Sequence, residues 1–150
     1  MMRSIPAYLL AVLTASVIIA LEIFAVVWAG HLLGNARQPP GPFWQGLLGS
    51  LTLLPIVVFL AAAVIAAVPF ALFHPIYGSL HGGVARSVAL LFGVLVALFG
   101  FELLFGAMAK TALVDHVAFV GMSLAPGLLS GWVFHQTMVK SGALTGDVVR

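Results

Sequence analysis

"PAYLLAVLTASVIIALEIFAVVWAGHLL", residues 6–33, decides the fold. A helix needs about 20 predominantly apolar residues to cross the hydrocarbon of a bilayer. This run exceeds that with one formally charged side chain, Glu22. Three more apolar runs follow, at 47–73, 87–109 and 117–139. The first two are long enough to require tilt, or ends that emerge into the headgroups. The expectation is an all-α membrane protein: four transmembrane helices packed as a bundle, forming a single domain over residues 1–150. Pro55 and Pro69 each remove a backbone donor within the second run, which is therefore the helix expected to bend.

Composition supports this reading. Of 150 residues 63% are hydrophobic and only 7% charged, whereas soluble domains carry about a quarter charged residues. The absence of cysteine removes thiolate metal sites, disulfide frameworks and thiol oxidoreductase chemistry. A formal charge of +2, dispersed along the chain, suggests neither a nucleic-acid partner nor a strong anionic-lipid patch. At the N-terminus, Arg3 precedes an apolar run as in a signal peptide. The run is too long for that, and it reads as a retained first helix.

The connections are punctuated. "GNARQPPGPFWQG" (34–46) is rich in Gly and Pro and is expected to interrupt the helices, and "HPIYGSLHGGVAR" (74–86) is expected to break at Pro75 and again at Gly82 and Gly83. "KTALVDH" (110–116) is the third link, and "SGALTGDVVR" after Lys140 reads as a frayed end. Four spans put both termini on one side. Arg3, Arg86, Lys140 and Arg150 then share the side of the termini, against Arg37 and Lys110, which favours cytoplasmic termini. Tyr8, Trp28, Trp44, Tyr77 and Trp132 fall near span ends, where amphipathic rings prefer to sit.

Among the charged residues, Glu22 and Glu102 alone fall well inside spans. A charge at the bilayer centre costs about 2.5–3.5 kcal/mol on insertion scales. The two acids are the candidate proton- or cation-handling residues. At about 1.5 Å per residue both lie roughly 22–24 Å from the starts of their runs. If the first and third helices touch, the acids can face each other, and two close carboxylates do not both stay ionised cheaply. The alternative role is structural, with each acid hydrogen-bonding across helices.

His31, His74, His81, His116 and His135 all fall at span ends or in loops. A haem in a membrane bundle needs two histidines at one depth on different helices. His74 with His135 meets the depth condition, as does His31 with His116; the bland reading is imidazoles resting at the headgroup boundary. No metal-site spacing, phosphate-binding loop or nucleophile elbow occurs, and no metal or cofactor is expected. In the fourth run Ser123, Gly127, Gly131 and His135 recur every four residues and share a face. Its GxxxG lets another backbone approach closely. Gly93 and Gly100 suggest a similar seam in the third run, and Ala62, Ala63, Ala66 and Ala67 a small face in the second.

The segment "AYLLAVLTASVIIALEIFAVV" resembles the first helix of the small multidrug resistance transporters. In that family a membrane glutamate exchanges protons for cationic drugs, which would be the part of Glu22. The resemblance covers this segment alone: the family has shorter helices, compact loops and no second matching acid, and the Pro-rich first link is foreign to it. The expected function is a non-catalytic accessory or assembly subunit in a bacterial inner membrane. Its expected partners are lipid and other membrane subunits or further copies of itself. The rival is a small proton- or cation-coupled transporter using Glu22 and Glu102, and a haem-binding electron-transfer subunit comes third.

Overall fold

The computed structural model describes residues 4–32, 43–105 and 113–142. Arg3, Arg37, Lys110 and Arg150 lie outside these residues, and so do the side chains of His31, Trp44 and His116. The described residues form four helices: α1 (Ser4–Leu32), α2 (Phe43–Tyr77), α3 (Gly82–Phe105) and α4 (Leu113–Lys140). Stretches of α1 (Ser4–Gly30), α2 (Thr52–Tyr77) and α3 (Gly82–Leu103) are long and apolar enough to cross a membrane. Their outward faces carry large bare side chains, such as Leu53 (70% exposed), Val64 (75%) and Leu72 (70%). Such faces suit lipid and not water. The chain is an integral membrane protein.

The helix ends differ from the sequence expectation in instructive ways. α2 begins at Phe43, inside the link read as helix-breaking and directly after its last proline. It then runs through Pro55, Pro69 and Pro75 to Tyr77. The predicted break at Pro75 is therefore displaced. In a long apolar helix packed on its neighbours, the lost donor does not end the helix. The chain instead turns at Gly78, whose N–H donates to the His74 carbonyl at 3.1 Å. Leu80 donates to the Tyr77 carbonyl at the same distance. Gly82, with φ of 57°, starts α3 in a left-handed conformation that a side chain would resist. α4 begins at Leu113, within the third link, and ends at Lys140, with Gly142 at φ 63° just beyond it.

α4 is packed between α1 and α3, and α2 lies against α1. α2 and α3 close the ring with the slightest of the four main interfaces. One core cluster joins Ala7 from the start of α1, Phe73 and Tyr77 from the end of α2, Ala85 and Ala89 from the start of α3, and Phe134 and Met138 from the end of α4. The helices therefore alternate in direction, and this is the tightly closed end of the bundle. Stacked rings hold it: Phe73 lies on Phe92 with centroids 3.8 Å apart and planes within 5°, and Tyr77 packs on Phe134 at 5.1 Å.

Candidate functional site

The α3–α4 contact is made by backbone. A Cβ added at Gly93 would fall 2.2 Å from the Gly127 carbonyl oxygen. One at Gly127 would fall 2.5 Å from Val94 Cα, and one at Gly131 would fall 2.4 Å from the Ala89 carbonyl oxygen. Ser123, Gly127, Gly131 and His135 are all buried along this face of α4. Gly100 differs from Gly93, with which the sequence pattern grouped it: nothing lies within 4 Å of its notional Cβ. The close approach does not reach that far along α3.

At the closed end the Tyr77 hydroxyl and His135 Nδ1 are 2.7 Å apart, with the tyrosine fully buried and the histidine 6% exposed. With the ring proton on Nε2, the hydroxyl donates and Nδ1 accepts. Both stand near helix ends, as their sequence positions suggest, and both are buried, His135 on the small-residue face of α4. His74, the other haem candidate, packs on Phe70 at 5.7 Å between centroids. Among the described residues, no three His, Asp or Glu side chains gather to hold a metal ion. Tyr8, another expected boundary ring, donates instead to the Ala63 carbonyl of α2.

Glu22 and Glu102 lie about 27 Å and about 30 Å along their helices at 1.5 Å per residue, so their heights are similar. Their helices are not packed side by side: α1 and α3 stand across the ring, with α4 between them on one side and α2 on the other. The expected meeting of the acids required a direct α1–α3 interface, and that is not among the four main ones. Glu22 is half-buried; its Oε2 is sealed and has no hydrogen-bond partner among the described residues. Glu102 is likewise half-buried.

Between the acids and the closed end lies a cavity of about 130 Å³. Tyr8, Phe70 and Phe134 lie at the closed end, and small residues such as Ala15, Ala62, Ala97 and Gly100 line the walls. Tyr8 and Ser130 supply the hydroxyls of this lining. Tyr8 is bonded to Ala63, and Ser130 Oγ donates to the Gly127 carbonyl at 3.1 Å.

No protein-family profile, curated protein or solved structure matches this chain.

The cavity and the Tyr77–His135 bond were not legible in the sequence. Both depend on which helices become neighbours. The available signal was the Ala and Gly content of three runs, which marked close packing but not where the packing stops.

Proposed function

We propose that the chain is a non-catalytic membrane protein, an accessory or assembly subunit of a larger membrane complex. In this reading all four helices cross a bacterial inner membrane with both termini in the cytoplasm, and α4 is the fourth span. The supporting observation is how the interior disposes of its polar groups. Ser16 donates to the Val12 carbonyl at 2.7 Å, Ser123 to Val120 at 2.9 Å and Thr137 to Val133 at 2.8 Å. The two hydroxyls of the cavity are spent on backbone in the same way. A path for ions or protons needs polar groups free to replace water along it, whereas these hydroxyls are bonded to backbone, within their own helix for the serines and the threonine and from α1 to α2 for Tyr8.

The transport reading has one observation in its favour, the partnerless Oε2 of Glu22. A buried oxygen without a donor is an energetic liability unless something else binds it. The two readings separate by experiment. Extraction in mild detergent, followed by two orthogonal purification steps, should yield the chain in a fixed stoichiometry with another membrane subunit. The same chain purified alone and reconstituted in vesicles should give no proton-coupled cation flux. A lone chain whose flux is lost in Glu22→Gln would overturn the subunit assignment.

A further inference from the structure

We infer that the cavity lined by all four helices seats part of one hydrocarbon chain of a membrane lipid, entering from the bilayer between α2 and α3. The inference is independent of the subunit role, since a scaffold and a transporter could both hold such a chain.

Three observations converge on it. The first is size and chemistry: about 130 Å³ with walls of Ala, Gly, Val and Phe. An apolar cavity of about 150 Å³ is known to stay dry and to take up benzene or xenon, so water is not the occupant here. The second is position. All four helices line the cavity, and of the four main interfaces around it that of α2 with α3 is the slightest; both of these helices bare apolar side chains to the surroundings, among them Val57 (64% exposed) and Phe99 (50%). What surrounds those faces is acyl chain. The third is shape. The aromatic residues Tyr8, Phe70 and Phe134 line the closed end, while at Gly100 there is open space where a side chain would stand.

The driving force is not transfer from water, because the chain leaves one apolar medium for another. It is the recovery of dispersion contacts that an empty slot forfeits on every lining atom. Because acyl chains are the solvent, weak affinity suffices for occupancy.

The full chain is reconstituted in phosphatidylcholine vesicles containing a small fraction of phospholipid with a mid-chain diazirine, irradiated, and mapped by peptide mass spectrometry. Adducts are expected at Ala62, Ile65, Val96 and Gly100, in addition to those on the lipid-facing Val64. Gly100→Leu and Ala62→Leu fill the slot from α3 and α2 respectively. Each should abolish the slot adducts, leave Val64 labelled and keep a melting transition. Adducts confined to Val64 and other exposed positions in the wild type would overturn the proposal. So would slot adducts unchanged in both filled variants. Should a filled variant fail to fold, the wild-type map decides alone.

Discussion

Replacing Gly93 by alanine is the smallest change that tests the architecture, and its size can be worked from the structure. The new methyl would sit 2.2 Å from the Gly127 carbonyl oxygen and 3.0 Å from the Gly131 nitrogen, where ordinary contact begins at 3.4 Å. These atoms are backbone on a facing helix, so no rotamer change relieves the clash and α3 must move away from α4 by about an ångström. Overpacking of this kind costs typically about 1–3 kcal/mol, and a rigid partner places it in the upper half of that range. Alanine gains about 0.8–1 kcal/mol over glycine in helix propensity. The net loss is about 1–2 kcal/mol, a fall in melting temperature of about 2–8 °C for a chain of this length. Gly100→Ala, on the same helix, keeps the propensity gain and meets nothing within 4 Å. It should melt at or slightly above the wild type. Thermal unfolding followed by circular dichroism in one detergent compares all three. A Gly93→Ala protein as stable as the wild type, or a Gly100→Ala protein equally damaged, would refute the backbone seam.

Three further outcomes are expected. Gly131→Leu should destabilise far more than Trp132→Leu, because Gly131 meets the α3 backbone whereas Trp132 is 43% exposed; equal melting temperatures would remove α4's small face from the architecture. Tyr77→Phe and His135→Leu should show a coupling of about 0.6–1.7 kcal/mol in a double-mutant cycle, the span measured for side-chain hydrogen bonds within membranes, and additive losses would mean the 2.7 Å bond carries nothing. Reporter fusions at Ser79 and Ser141 should report one face of the membrane and a fusion at Gln38 the other, with Ser79 and Ser141 on opposite faces excluding four spans.

The sequence carried the helices more plainly than their partners. The runs of α1, α2 and α3 are apolar on every side, so their existence follows from composition and length without knowledge of any contact. α4 is the opposite case. Its Gly, Ser and Pro content makes it the weakest apolar signal, and it is the helix that packs between two others. Proline located the boundaries only coarsely: α2 begins at Phe43, inside the 34–46 link, while Pro75 sits two residues inside its end. The aromatic rule placed Tyr77 at a span end, where α2 does stop, but a ring there can face headgroups or a buried histidine, and only the neighbouring helix distinguishes them. Glycine misled for a related reason. Gly93 and Gly100 are the same residue on one helix, yet one is pressed against α4 and the other borders empty space. The chemistry of Glu22 was visible as an anomaly of cost, but its missing donor became visible only once the surrounding helices were in place.

The glycine seam between α3 and α4 also bears on the order of assembly. Most helix pairs must freeze rotamers to interlock, at up to about 1.5–2 kcal/mol for each long side chain immobilised. At Gly93, Gly127 and Gly131 there are no rotamers to freeze, and the close backbones can add weak Cα–H to carbonyl contacts. The two helices are consecutive in the chain, so little loop entropy opposes their meeting. This hairpin loses the least disorder on forming, and it presents α4 as a ready template. α1, inserted first, has α2 beside it early, while its other main partner, α4, is made last.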